Sequence, residues 1–202
     1  MRARDLMTSP VLTVHPWTSA KEAAGLLSTH GFTALPVVDD DDRLVGIVTE
    51  ADLIRGRVPA DPRSAREIRG TAAGRTAGDL MTTPVTAMST GTDVADLCQA
   101  LVDARIRAMP IVDGAAVVGI VTRGDVVRVL ARDDAEIARD VKHRLEIYGG
   151  GGRWAVEVRE GRVHITDRFD DDSDRHVARL LALAVPGVVA ADTAYAGEEP
   201  AR

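Results

Sequence analysis

The sequence has few aromatic residues, a single cysteine and no long apolar run. Phe, Trp and Tyr make up 3% of the 202 residues, so the core must be built mainly from Val, Leu, Ile and Ala. One cysteine, Cys98, cannot form an internal disulfide. No apolar stretch approaches the roughly 20 residues that cross a bilayer, and none follows the basic N-terminus as a secretory signal requires. We therefore expect a cytoplasmic protein.

A basic surplus and the side-chain sets of common enzymes are also lacking. The net charge of −6 argues against a general nucleic-acid binder, because such proteins usually carry an excess of positive charge. The five histidines are scattered, and we find no Ser-His-Asp set, metal-ligand spacing or phosphate-binding glycine loop. The sequence therefore predicts a protein that is not an enzyme, with no obligatory cofactor and no metal site.

Three short blocks of the first half recur in the same order in the second half. The matched pairs are DLMTSPV (5–11) with DLMTTPV (79–85), ALPVVD (34–39) with AMPIVD (108–113), and GIVTEAD (46–52) with GIVTRGD (119–125). The first two pairs are 74 residues apart and the third is 73 apart, so one residue is lost in the turn between them. Three ordered matches indicate an internal duplication.

Each copy predicts the same series of elements, β-α-β-β-α. A short extended segment leads into a helix, two apolar runs separated by a turn follow, and a second helix begins at the shared threonine. Ser19 and Glu22 have the spacing of a capping box, and Thr92 or Asp93 can cap the matching helix of the second copy. One copy of about 55 residues is marginal as a separate domain. We therefore expect the two copies to pack sheet to sheet.

Thr and Asp are the only polar residues that GIVTEAD and GIVTRGD share. At a strand-to-helix junction the threonine can cap the helix, and the aspartate favours the positive end of the helix dipole. The same pair also suits a nucleotide, because free N–H groups favour a phosphate and a carboxylate accepts hydrogen bonds from ribose hydroxyls. Helix cap and nucleotide clamp are both open interpretations at this point.

The duplicated unit resembles the CBS domain, in the tandem form called a Bateman module. The resemblance covers about residues 3–132 and rests on the three repeated blocks quoted above. It implies clefts that bind AMP, ATP or S-adenosylmethionine as a regulatory ligand, and a homodimer formed through the CBS modules. It implies nucleotide-binding roles for Thr49, Asp52, Thr122, Asp125, Val11, Thr13, Val85, Ala87, Pro36 and Pro110.

The two copies differ in charge near the shared motif. The second copy has Arg107 and Arg123 where the first has Thr33 and Glu50. A guanidinium pairs with a phosphate, whereas a glutamate repels one. We therefore predict that Arg107 and Arg123 line one cleft and that this cleft favours a phosphorylated ligand. The alternative is that both arginines are solvated surface groups.

The chain beyond the duplication predicts a further small domain with the element order α-β-β-α-β. Its second helix has an apolar face comprising Val177, Leu180, Leu181 and Ala184. The predicted segments are CBS repeat 1 at 1–57, an Arg/Pro/Gly-rich linker at 58–78, CBS repeat 2 at 79–132, this domain at 133–195 and a tail at 196–202. The fold class is therefore α+β.

The segment 134–195 resembles a BON domain, through GRVHIT at 161–166 and VPGVV at 185–189. That family is associated with phospholipid binding, but here Asp167 stands where its members usually have glycine. Four aspartates, Asp170, Asp171, Asp172 and Asp174, would be repelled by anionic head groups. We therefore favour a packing or protein-interaction role for this domain.

Two hypotheses of function follow. The first is a regulatory sensor that binds an adenosine-containing ligand in the CBS pair and relays its state to an unknown regulated protein through dimer geometry and the BON-like domain. The alternative is a membrane- or phospholipid-associated scaffold in which the CBS pair is mainly a dimerisation element.

Overall fold

The computed structural model describes residues 1–55 and 75–197. They divide into two compact units, residues 2–123 and, together with Met1, the residues from 124 onward. The predicted linker lies outside the described residues as far as position 74, and so does the predicted tail from position 198 onward. In the described ranges, no helix is both long and apolar enough to cross a membrane.

The first unit contains the strands of both repeats. Repeat 1 forms α1 (Ala20–His30), β1 (Ala34–Val38), β2 (Leu44–Thr49) and α2 (Glu50–Ile54) after a short 3-10 helix (Ala3–Asp5). Repeat 2 forms α3 (Ala77–Leu80), β3 (Met88–Ser89), α4 (Val94–Asp103), β4 (Ala108–Asp113), β5 (Ala116–Thr122) and α5 (Arg123–Leu130). The strands pair as β1-β2 and as β3-β4-β5, antiparallel except for the parallel pair β3-β4.

The predicted β-α-β-β-α series is observed in the second repeat and is incomplete in the first. Residues 11–14 do not form a strand, because only Val14 pairs with the sheet, through an isolated parallel bridge to Val37. The predicted caps are confirmed in part. Ser19 Oγ accepts a hydrogen bond from the Glu22 N–H, and Asp93 rather than Thr92 caps α4.

The two repeats are joined by a reciprocal exchange of their opening segments. Thr82 of repeat 2 exchanges two backbone hydrogen bonds with Ile47 of repeat 1, and Thr8 does the same with Ile120. Met81 packs on Gly46 so closely that an added Cβ would lie 2.4 Å from its Sδ. Between the strands a shared core buries Ala34, Ile47, Ala108 and Ile120. The predicted packing of one repeat against the other is therefore confirmed.

The second unit has the predicted order α-β-β-α-β. It comprises α6 (Asp134–Gly149), β6 (Trp154–Arg159), β7 (Arg162–Asp167), α7 (Asp172–Leu183) and β8 (Ala190–Tyr195). Strand β7 is central, antiparallel to β6 and parallel to β8. The unit also takes in most of α5, earlier than the predicted domain start at 133. The Arg132 guanidinium, just beyond α5, donates a hydrogen bond to the Pro186 carbonyl. The resemblance to a BON domain stays a prediction.

The predicted apolar face of α7 is correct at Leu181, which packs against the core of this unit, and wrong at Leu180. Leu180 is 53% exposed, whereas Arg175 is 9% exposed and Ala178 and Ala182 are fully buried. Arg175 tolerates this position because its guanidinium pairs with Asp170 and Asp172, which satisfies its charge. Two of the four aspartates that were expected to repel anionic head groups are therefore engaged in ion pairs within the fold.

Asp167, the last residue of β7, is a fully buried carboxylate. Arg153 donates to it from Nε at 2.8 Å and from Nη2 at 2.7 Å, and donates to Asp174 from Nη1 at 2.5 Å. Burial alone would raise the pKa of Asp167, but the hydrogen bonds from Arg153 and from the Phe169 N–H lower it below its ordinary value. This network ties the end of β7 to the start of α7.

Candidate functional site

The shared motif of repeat 1 forms a capping box at the junction of β2 and α2. Thr49 donates to Asp52 Oδ2 from its N–H at 2.9 Å and from its hydroxyl at 2.7 Å. In return the Asp52 N–H donates to Thr49 Oγ at 3.4 Å. No described residue bonds to Asp52 Oδ1, so this oxygen and the second lone pair of Thr49 Oγ can still accept hydrogen bonds.

A second Thr-x-x-Asp sequence, at Thr76–Asp79, adopts the same box. The Thr76 N–H donates to Asp79 Oδ2 at 3.0 Å, and the Asp79 N–H donates to Thr76 Oγ at 3.3 Å. The N–H groups of Thr76 and Arg75 lower the pKa of Asp79. Asp79 is exposed and caps the short helix α3. Thr-x-x-Asp by itself is therefore a helix cap in this protein, and its surroundings must decide any further role.

The pair Thr49–Asp52 differs from Thr76–Asp79 because it lines a cavity of about 350 Å³ within the first unit. Both repeats contribute to this cavity. Repeat 1 supplies Thr33, Ile47 and residues 49–52 and 55, and repeat 2 supplies Thr82, residues 84–86 and residues 105–108. Residues of both repeats line the cavity because the opening segment of repeat 2 pairs with a strand of repeat 1, residue 82 with residue 47.

The floor of the cavity is apolar. Ile47 is 9% exposed and Ala108 is 3% exposed, and both belong to the core shared by the two repeats. Val85 is half-buried and packs against the same core. A flat apolar group can therefore lie on this floor, within reach of the polar groups of Thr49 and Asp52.

The rim of the cavity carries a surplus of positive charge. Three arginines (Arg55, Arg105 and Arg107) face two carboxylates (Glu50 and Asp52), which leaves one net positive charge in a chain whose net charge is −6. All three arginines are exposed. Within the part of the chain that the structure describes, none of their guanidinium groups is engaged in a hydrogen bond or an ion pair. They can therefore accept an anionic partner.

The predicted nucleotide-binding residues outside the two Thr-x-x-Asp motifs lie in different parts of the first unit. Of the group Val11, Thr13, Pro36, Val85, Ala87 and Pro110, only Val85 is among the described residues that line this cavity. Pro36 and Pro110 are buried within β1 and β4. Val11 packs against the core shared by the repeats, in the position that matches Val85.

The two predicted phosphate-binding arginines are placed differently from expectation. Arg107 lies at the cavity of Thr49 and Asp52, whereas Arg123 is not among the described residues that line it. Arg123 donates from Nε to the Ile106 carbonyl at 2.9 Å and from Nη2 to the Leu101 carbonyl at 2.6 Å. Since Leu101 lies in the last turn of α4, Arg123 stabilises the C-terminus of that helix.

The matching motif of repeat 2 begins at Thr122, the last residue of β5. Asp125 lies in the first turn of α5 and is 6% exposed. Its Oδ1 accepts a hydrogen bond from Arg128 Nη1 at 3.0 Å, which is the i,i+3 ion pair expected on a helix.

Sequence reasoning missed Arg105, Pro84 and Thr86 as cavity residues. A signal for Arg105 was present in the repeat itself. The matched residue of repeat 1 is Gly31, and both positions have a positive φ, 65° at Gly31 and 54° at Arg105. The signal in the sequence was the difference between the copies, an arginine where the other copy has glycine.

Both the sequence and the fold of this chain resemble those of known proteins. The model of the CBS domain matches residues 3–58 and 77–132. The chloroplastic CBS domain-containing protein CBSX2 of Arabidopsis thaliana is 34% identical over 134 residues, which cover 57% of this chain and 56% of the relative. Hypoxic response protein 1 of Mycobacterium tuberculosis is 29% identical over 130 residues, or 63% of this chain and 84% of the relative. This chain thus spans little more than half of CBSX2.

Two solved structures carry ligands and resemble this chain. The CBS domain pair of protein MJ0100 in complex with 5′-methylthioadenosine and S-adenosyl-L-methionine has a TM-score of 0.55 and 28% identity, covering 64% of this chain and 94% of that one. CBSX2 in complex with AMP has a TM-score of 0.53 and 34% identity, covering 63% and 94%. Because the family model matches both repeats and more than half of the chain, this protein belongs to the CBS domain family and contains a tandem CBS pair.

Proposed function

We propose that this protein is a non-enzymatic regulatory sensor that binds an adenine nucleotide in the cavity at Thr49 and Asp52. The observation that carries the proposal is the composition of that cavity, where a capping box with a spare carboxylate oxygen adjoins an apolar floor and a cationic rim. Adenosyl ligands in two related structures support the ligand class.

Each part of a nucleotide has a matching group in the cavity. The adenine lies on the floor of Ile47, Val85 and Ala108, where its removal from water is favourable. One ribose hydroxyl donates to Asp52 Oδ1 and the other to Thr49 Oγ. Because the Thr49 hydroxyl already gives its proton to Asp52, it accepts from the ligand and cannot donate to a phosphate. The phosphate is therefore left to the arginines, with Arg107 nearest to the floor residue Ala108 in the chain.

The positive charge at the rim predicts different affinities for the candidate ligands, according to their charge. A phosphate gains a charge-assisted hydrogen bond from Arg107, whereas the sulfonium of S-adenosylmethionine is repelled by the same guanidinium. 5′-Methylthioadenosine has no charge to pair with it. We therefore expect AMP or ATP to bind more tightly than S-adenosylmethionine or 5′-methylthioadenosine.

The state of the cavity is relayed through a homodimer and through the C-terminal, BON-like unit to a regulated protein. Asp52 anchors α2 through the capping box, so ligand contacts to Asp52 act directly on that helix. Ile54 follows on the same helix and is 62% exposed, and Val102 of α4 is 65% exposed. A partner chain that covers these helices would remove both side chains from water.

Titration calorimetry of the full chain with AMP, ATP, adenosine and S-adenosylmethionine tests the proposal. We expect Asp52→Ala to lower AMP affinity at least 10-fold, because one charge-assisted hydrogen bond is worth about 1.5–3 kcal/mol. Asp79→Ala removes the same kind of cap away from the cavity and is the matched control, with unchanged affinity. Absence of binding by every ligand, or equal affinity of Asp52→Ala and wild type, would contradict the proposal.

A phospholipid-associated scaffold is the second candidate. Ion pairs of Asp170 and Asp172 with Arg175, and of Asp174 with Arg153, offset part of the negative charge that repels anionic head groups. Co-sedimentation of the full chain with phosphatidylserine vesicles tests this candidate. Recovery of the whole protein in the supernatant at low salt would reject it.

A further inference from the structure

Arg105 occupies a backbone conformation that favours glycine. It follows the end of α4 with a φ of 54°, in the left-handed region that L residues rarely adopt. Gly31 holds the same place after α1, with a φ of 65°, and an added Cβ there would meet no atom within 4 Å. Glycine is thus the residue that best fits the backbone of this turn, and the turn itself does not explain the arginine in the second repeat.

The side chain of Arg105 belongs to the nucleotide cavity. Its N–H donates to the Val102 carbonyl at 3.1 Å, which ties the backbone to the end of α4 and leaves the guanidinium uncommitted among the described residues. Four residues of this segment line the cavity: Ala108 is 3% exposed and Ile106 is half-buried, whereas Arg107 and Arg105 are both exposed. Strain retained at a cavity residue points to a ligand contact.

We infer that Arg105 is a specificity-determining residue that selects nucleotides with more than one phosphate. The inference rests on the proposed function and deepens it. With the base on the floor and the ribose at Asp52, the first phosphate reaches Arg107. A second phosphate extends toward the rim, where the Arg105 guanidinium can pair with it. Repeat 1 has Gly31 and Thr33 in the matching positions, so this pair of cations exists in one copy only.

The test compares AMP, ADP and ATP by titration calorimetry without divalent cations, for wild type, Arg105→Gln and Arg105→Gly. We expect wild type to bind ADP and ATP more tightly than AMP. Arg105→Gln should lower ADP and ATP affinity about 10-fold and AMP affinity less than about threefold, since only the second phosphate loses its partner.

Thermal unfolding separates this role from a structural one. Arg105→Gly should lose the preference for ADP and ATP over AMP. Its melting midpoint should stay equal to or above that of wild type, because glycine fits the left-handed backbone. Asp42→Gly is the matched control, since Asp42 also has a positive φ, 59°, on an exposed turn. It should leave every nucleotide affinity unchanged.

The outcomes distinguish this inference from the proposed function. If wild type binds nucleotides and the ratio of ATP to AMP affinity is the same in Arg105→Gln, the role of Arg105 is rejected and the cavity assignment stands. A lower midpoint for Arg105→Gly with unchanged nucleotide preference makes Arg105 structural. If wild type binds no adenine nucleotide, the proposed function itself fails.

Discussion

At the residue scale, one local pattern serves two purposes in this protein. Thr49–Asp52 and Thr76–Asp79 form the same capping box, with the aspartate accepting from the threonine N–H at 2.9 Å and 3.0 Å. Only the first lines a cavity. The residue types therefore account for the helix caps, and the neighbours that tertiary packing brings in account for the candidate binding role.

The glycine of the GIVT block belongs to the same scale. A Cβ on Gly46 would lie 2.4 Å from Met81 Sδ and 3.1 Å from Met81 Cβ, so Met81 must move as a whole. We predict that Gly46→Ala lowers the free energy of unfolding by about 1–3 kcal/mol, the usual range for overpacking. Since residue 82 pairs beside the cavity, AMP affinity should fall as well.

Gly25→Ala is the matched control for this prediction. Gly25 lies inside α1 and an added Cβ would meet no atom within 4 Å, so alanine should raise stability by about 0.5–1 kcal/mol. Urea unfolding followed by circular dichroism measures both variants. Equal stability of Gly46→Ala and Gly25→Ala would contradict the close packing of Met81 on Gly46.

At the scale of elements, the two repeats differ in the loop that follows the first long helix of each repeat, α1 in repeat 1 and α4 in repeat 2. Helix α1 is followed directly by Gly31, whereas α4 is followed by Ala104 and Arg105 and has its Leu101 carbonyl bonded by Arg123. Arg107 and Arg123, which were predicted to line one cleft, therefore have different roles. Arg107 faces the cavity, and Arg123 holds the end of α4.

The variants Arg107→Gln and Arg123→Gln separate these roles. We predict that Arg107→Gln lowers AMP affinity at least fivefold at the Thr49–Asp52 cavity, with little change in stability. Arg123→Gln should instead cost about 1 kcal/mol of unfolding free energy, because two hydrogen bonds to Ile106 and Leu101 are lost. Calorimetry and urea unfolding of both variants measure this, and a reversal of the two effects would contradict the assignment.

At the scale of the whole molecule, the chain has two units whose electrostatics differ. The second unit buries Asp167 fully and holds it with Arg153, which also pairs with Asp174. Removing one partner of such a buried pair costs about 3–5 kcal/mol. The first unit instead keeps cations exposed at the rim of its cavity.

Acidification should therefore destabilise the second unit. Asp167 and Asp174 have pKa values lowered from the ordinary value of 3.8. A lowered folded pKa contributes stability that is present above the unfolded pKa and is lost as the pH falls through the folded pKa. We predict that the fluorescence of the buried Trp154, recorded in a Trp17→Phe background, changes only below about pH 4.

Arg153→Met provides the comparison for the acid transition. Without the guanidinium, burial dominates at Asp167 and raises its pKa, so the transition of the second unit should move to higher pH. Arg159→Met, which removes an arginine whose side chain is 88% exposed, should leave the transition in place. Identical acid transitions in the two variants would show that Arg153 does not control the charge of Asp167.

The sequence by itself determined the duplication, the family and most of the series of elements, apart from the first strand of repeat 1. These rest on local signals, because caps, apolar periods and repeated blocks lie within a few residues of one another. The predicted apolar face of α7 was wrong in part because ion pairs allow Arg175 to be buried on that helix. Only the tertiary structure decided which residues share a cavity. The reciprocal exchange of opening segments brings residues 82–86 and 105–108 to the motif at 49–52, and no local pattern records such a long-range packing.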